Sequence, residues 1–278
     1  MGADIKALRS SIRSVDNMLH LTSAMGLVAS SKIRRANDAM LKGREYAEAV
    51  KVMTERLAAC PECRKSPFMR KRQGGSTRLV IIAGDRGLCG GYNSNVFRLA
   101  AEVLAEAENN GEAEIIPIGK RAFDRYHGEG RTEVVRCEGY TAAQGRALSE
   151  KLCRNFAAGE YDRLGIIGST YVSMMSQEAG IQWVLPLERN ESARENGMLF
   201  EPSENEVLKA AVSEYVFGVL MAAVRESFAC EVAARRMAMD SAGKNAQQML
   251  DDLHLTYNRA RQSAITQEIT EIVAGSGG

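Results

Sequence analysis

Apolar and small residues return every three to four positions along most of the first sixty residues. Alternating steps from Ile5 land on Leu8, Ile12, Val15, Leu19, Thr22, Gly26, Ala29, Ile33, Ala36, Met40, Gly43, Ala47 and Val50. A seam of this period, held over about six heptads, predicts one strand of a coiled coil. A helix over residues 3–57 would be roughly 80 Å long. The seam turns small at Gly26, Ala29 and Ala36, so a partner backbone can approach closely there. The last part of the chain repeats the pattern from Val232 through Met239, Gly243, Ala246, Leu250, Leu253, Tyr257, Ala260 and Ala264, with Arg236 as a charged intruder. Ser203 is placed to cap a helix whose first turn carries Glu204 and Glu206. A helix from there to Val273 spans about 70 residues, roughly 105 Å. The first helix covers only part of such a rod, so its far end must be sheathed by other subunits or stay wet.

Between the flanks the period changes. Short apolar runs RLVIIAG (78–84), EIIPIG (114–119), TEVVRCEG (132–139), LGIIGSTYV (164–172) and IQWVLPL (181–187) alternate with helical stretches near 91–108, 120–127 and 142–158. Apolar strands alternating with helices predict an α/β domain with a mainly parallel, two-sided sheet.

The prolines fit this division. All five lie between Pro61 and Pro202, leaving both flanks free to be long helices. Lys and Arg total 36 against 35 Asp and Glu, so there is no bulk electrostatic case for nucleic acid or a membrane surface. The balance is local: residues 1–59 carry ten basic and six acidic side chains (+4), and residues 203–278 seven and ten (−3). Opposite signs favour antiparallel pairing of the flanks, although solvated faces alone give similar counts. No unbroken run of about 18 apolar residues occurs and the start lacks the apolar core of a signal peptide, so the chain reads as cytosolic with its six cysteines reduced.

Candidate chemistry is thin. Strand, GDRGLCGG (84–91) and helix invite a phosphate-loop reading, but no Lys-Ser/Thr follows and the glycine spacing misses G-x-G-x-x-G. Cys60-Pro-Glu-Cys63 has redox or zinc spacing without a second pair, and an incidental linker pair is the simpler account. His20, His127 and His254 form no metal motif. Arg64, Lys65, Arg70, Lys71 and Arg72 make a basic linker that reads as solvated loop or as contact with an anionic surface. An enzyme reading predicts nucleotide binding at 84–91, and a free coiled-coil adaptor predicts a homodimer through the seams.

Three segments resemble the gamma subunit family of the bacterial-type rotary ATP synthase. They are IKALRSSIRSVDNMLHLTSAMGLVASSKIRRA (5–36), GDRGLCGGYNSNV (84–96) and LTYNRARQSAITQEITEIV (255–273), in order along the chain. The resemblance implies a central rotor shaft: an antiparallel coiled coil of the N- and C-terminal helices (1–59 and 203–278) joined through a linker (60–77) to a Rossmann-like foot domain (78–202). It implies no catalytic residue, cofactor or metal, no binding of nucleotide or nucleic acid, and no homo-oligomer. The implied partners are the alpha and beta subunits, the epsilon subunit and the membrane c-ring, with the chain peripheral on the cytoplasmic face of the inner membrane. Met25, Gly26, Lys32, Arg34, Arg236, Gln262, Thr266 and Glu268 match positions that face the alpha/beta ring, and Phe200 and Glu201 match the foot near the membrane ring. Gly26 stands where the family usually carries a charge and Ser30 where it carries alanine. The regulatory cysteine insertion of chloroplast relatives is missing, so thiol control through Cys60 and Cys63 is not implied.

Overall fold

Both flanks are helical over their expected lengths: α1 runs Gly2–Ala59 and α5 runs Glu204–Gly275. Ser203 caps α5 as its sequence suggests, its Oγ accepting the Glu206 N–H at 3.3 Å. The computed structural model describes residues 2–72, 75–127, 134–188 and 200–275. Every seam position of α1 from Ile5 to Val50 is buried or half-buried, and so is every one named on α5 from Val232 to Ala264. From Ile265 to Gly275 all residues are exposed.

The chain divides into two compact units, Ser31–Ala234 and Met1–Ser30 with Arg235–Gly278. In the second unit Val15, Ala246 and Leu250 form a small core flanked by Ile12, Leu19 and Leu253. Arg9 donates to the Tyr257 hydroxyl at 2.8 Å, and Gly26 lies opposite Arg236 and Met239. Numbers rise on α1 as they fall on α5, so the two stretches pair antiparallel within one chain.

The larger unit holds the sheet. Strands β1 (Thr77–Ile82), β2 (Ala113–Ile118), β3 (Arg163–Tyr171) and β4 (Gln177–Leu185) lie in the order β2-β1-β3-β4. β1 is parallel to both neighbours and β4 is antiparallel to β3. Helices α2 (Tyr92–Asn110), α3 (Lys120–Tyr126) and α4 (Ala142–Ala158) supply the crossovers. All six residues of β1 are buried, and its alternation separates two cores. Leu79 and Ile81 join Val96, Ala100 and Ala122, whereas Val80 and Ile82 join Leu152, Phe156, Val212 and Leu220. The domain is thus the mixed, mainly parallel α/β sheet expected. The early part of α5 packs on it, with Leu208, Val212, Val216 and Leu220 at 0% exposure. A window of α5 is apolar enough to cross a bilayer by length and composition, yet 67% of it is buried inside the fold, as in a core helix.

Two expectations change. The run 132–139 is not a strand over its described part, 134–139; residues 132 and 133 lie outside the described residues. Its backbone is claimed elsewhere: the Cys137 and Glu138 N–H groups donate to the Asp85 carboxylate at 3.1 and 2.8 Å, and the Val135 carbonyl accepts from Gly119 at 2.7 Å. The final strand also starts earlier than Ile181, because a turn closed by Ser173 N–H to the Ser176 carbonyl (3.0 Å) carries β3 straight back into β4.

Candidate partner-binding surfaces

The glycine-rich loop after β1 is where an α/β domain would hold a phosphate. Here a side chain of α5 occupies it. Glu231, 2% exposed, accepts the N–H of Asp85 on Oε2 and that of Arg86 on Oε1, each at 3.1 Å. The absent Cβ of Gly84 would stand 2.9 Å from the Glu231 carboxyl carbon, so glycine is what lets the carboxylate in. Asp85 points the other way and accepts from Lys120, Cys137 and Glu138. Two of the loop N–H groups that a phosphate would use are thus already taken by a carboxylate of the same chain.

The end of α5 carries the opposite character. Gln262, Thr266 and Glu268 are exposed on it, alongside Ile265, Ile269 and Ile272 at 47%, 56% and 70% exposure. The isoleucine spacing of four and three places them on one helix face. The Thr266 hydroxyl donates to the Gln262 carbonyl at 2.9 Å, and Thr270 donates to the Thr266 carbonyl at 2.8 Å.

Residues 4–277 match the family described as ATP synthase. The ATP synthase gamma chain of Ruminococcus albus is 38% identical over 99% of this chain and 98% of its own length, and that of Acidithiobacillus ferrooxidans is 36% identical over 99% of each. The chain belongs to the ATP synthase gamma-chain family. Among solved structures, a chain of the Euglena gracilis mitochondrial ATP synthase, in the assembly of OSCP, F1 and c-ring, matches with TM-score 0.65 at 19% identity, covering 99% of this chain and 94% of that one. A chain of the rotor of the same synthase matches with TM-score 0.62 at 19% identity, covering 95% and 100%. These two likenesses bear on the fold.

The other positions that the gamma-chain resemblance singles out are scattered. Met25 is half-buried and Gly26 buried on α1, and the Gly26 Cβ that is missing would come 3.3 Å from Arg236 Nη1. The small residue thus leaves room for a half-buried guanidinium at the seam. Arg34 is exposed, whereas Lys32 forms an ion pair with Glu138 of the same chain. Phe200 is half-buried against the main core and Glu201 is exposed beside it. Sequence reasoning passed over Asp85, Glu226 and Glu231. Only Glu231 left a signal, a carboxylate within an otherwise apolar stretch, Phe228 to Ala234, which reads as a defect until its partners are seen.

All six cysteines are free and buried. Burial, with Cys60, Glu204 and Glu62 adding to it, pushes the Cys63 thiol up to about 11, and burial pushes Cys153 up to about 12. At pH 8 a thiol titrating near 11 is ionised in only about one molecule per thousand. The native chain is expected to react with almost no equivalents of a colorimetric thiol reagent on the timescale in which the urea-unfolded chain reacts with six. Fast labelling at Cys60 or Cys63 in the native chain would contradict the burial of that pair.

Proposed function

We propose that this chain is the central rotor shaft of an ATP synthase, coupling ion flow across a membrane to ATP synthesis or hydrolysis at beta subunits. It does no bond chemistry itself. The observation that carries this reading is the exposed end of α5, residues 265–275, with an isoleucine face turned to solvent on a helix whose preceding part is paired. A row of large apolar side chains at that exposure calls for a sheath. The alpha and beta subunits would supply it, in contact with Gln262, Thr266 and Glu268 there and with Met25, Gly26, Arg34 and Arg236 further back. Lys32 would have to exchange Glu138 for a partner carboxylate. Phe200 and Glu201 would face the membrane c-ring, and the epsilon subunit would be a further partner. The chain would sit peripherally on the cytoplasmic face of the inner membrane, and the driving ion would be selected in the ring.

The test is a truncation. In a complex assembled with alpha and beta subunits, deletion from Gln262 onward is expected to reduce the torque of ATP-driven rotation, read from the speed of a probe of known drag. Full torque and unchanged coupling in the truncated complex would overturn the role given to this end.

A further inference from the structure

The strand order β2-β1-β3 reverses direction at β1, and open α/β sheets bind their ligands in the crevice outside the carboxyl ends of the strands at such a point. In this chain three residues from one stretch of α5 take that place. Glu231 receives the two loop N–H groups beyond β1. Ser227 lies between, its carbonyl accepting the Tyr92 hydroxyl at 3.0 Å and its Oγ the Ser169 N–H at 3.5 Å. Glu226 closes the end of β3, accepting the Tyr171 N–H at 2.7 Å and Arg44 Nη2 at 2.5 Å. The carboxyl ends of both central strands are therefore bonded to consecutive turns of the same helix.

We infer that Glu231 is a positioning residue: an intramolecular anion, standing where a phosphate would, that fixes the register of α5 on the sheet. The reason lies in what apolar packing cannot do. Burial of Val212, Val216 and Leu220 holds the helix against the sheet but is non-directional, and a twisting load can slide one apolar surface over another. A buried carboxylate bonded to two adjacent backbone N–H groups has one good position. Taking such a charge out of water is costly, and its removal leaves the buried Asp85 N–H and the part-buried Arg86 N–H without this acceptor. In mechanical terms, which rest on the rotor reading above, the foot and the stretch of α5 packed on it turn together because Glu231 and Glu226 key them to each other.

The experiment has two arms. In the purified full chain, Glu231→Ala should speed hydrogen exchange at the Asp85 and Arg86 amides by about tenfold or more. Added formate should return it toward the native rate where chloride at equal ionic strength does not, because formate restores the missing carboxylate. Glu231→Gln, which keeps the volume and loses one acceptor and the charge, should show the same change to a smaller degree and covers the case in which the alanine variant does not fold. In the second arm, membrane-reconstituted complexes carrying either variant should pump fewer ions per ATP hydrolysed, with formate raising the ratio again in the alanine variant. Unchanged exchange, or rescue by chloride as good as by formate, overturns the anion role. Altered and rescued exchange with an unchanged pumping ratio overturns the mechanical part of the inference, the keying of α5 to the sheet. A native chain that assembles with no alpha and beta subunits would instead refute the rotor reading, and the first arm would still decide the role of Glu231 in the fold.

Discussion

Gly119→Ala is expected to unfold the sheet domain or leave it barely stable, a loss of at least about 4 kcal/mol against a total that is typically 5–15. Gly119 sits between β2 and α3 at φ 91° and ψ 144°, a left-handed conformation that side chains rarely adopt. The larger problem is contact: a Cβ there would lie 1.9 Å from the Ala83 carbonyl oxygen and 3.3 Å from the Cys137 sulfur. The backbone cannot move away cheaply. Gly119 donates to Val135 at 2.7 Å and its carbonyl accepts from Phe123 at 2.9 Å, while Ala83 is itself tied to Ile118 at 3.0 Å. The chain has one tryptophan, Trp183 on β4, with the Arg163 guanidinium 3.8 Å over its ring. Its fluorescence in a urea titration reports the sheet directly. A midpoint within error of the native chain would show that the β2–α3 junction is not the tight point described.

The second large loss is expected for Phe156→Ala, about 3–5 kcal/mol, with Phe156→Leu clearly milder. Phe156 is wholly buried at the end of α4. Its ring stacks on Phe68 at 6.0 Å, meets Tyr161 edge-on at 5.4 Å and has the Arg72 guanidinium 5.1 Å above it. Arg72 also donates to the Phe156 carbonyl at 2.9 Å and to the Tyr161 carbonyl at 3.1 Å. The linker after α1 is thus anchored on this one ring by two of its residues, Phe68 and Arg72. Truncation should free the linker as well as open a cavity, so limited proteolysis near Arg64 and Arg70, both exposed, should accelerate together with the drop in the unfolding midpoint. Loss of stability with unchanged cleavage would separate the core from the anchoring role.

What the sequence made legible was whatever its period could encode. The seams of α1 and α5 needed only residues three and four apart, and β1 and β3 announced themselves by the short apolar runs Leu79–Ile82 and Leu164–Ile167, buried throughout. The cap at Ser203 was local too. β4 was half-seen because its first residues, Gln177 to Gly180, lie at a sheet edge where burial alternates and no apolar run is required. The run 132–139 was misleading for a different reason: its apolar residues do pack, with Val135 and Cys137 on the main core, but Asp85 claims its N–H groups before a neighbouring strand can. That competition, like the one Glu231 wins at the loop, joins residues 52 and 146 positions apart, a separation at which pattern carries no information. Arg44 and Glu226 join the two flanks, yet both serve the end of β3 as much as each other.

The threonines near the end of α5 have a consequence for recognition. Each hydroxyl carries one hydrogen, and in Thr266 and Thr270 it is already committed to a carbonyl of the preceding turn. Toward the outside these side chains offer lone pairs and a methyl group, never a proton. A carboxylate brought against Thr266 would find acceptor facing acceptor, whereas an amide N–H, a guanidinium or an apolar side chain would fit. The polarity of the hydrogen bonds inside the helix therefore selects which end of a dipole any surface brought against these threonines would have to present.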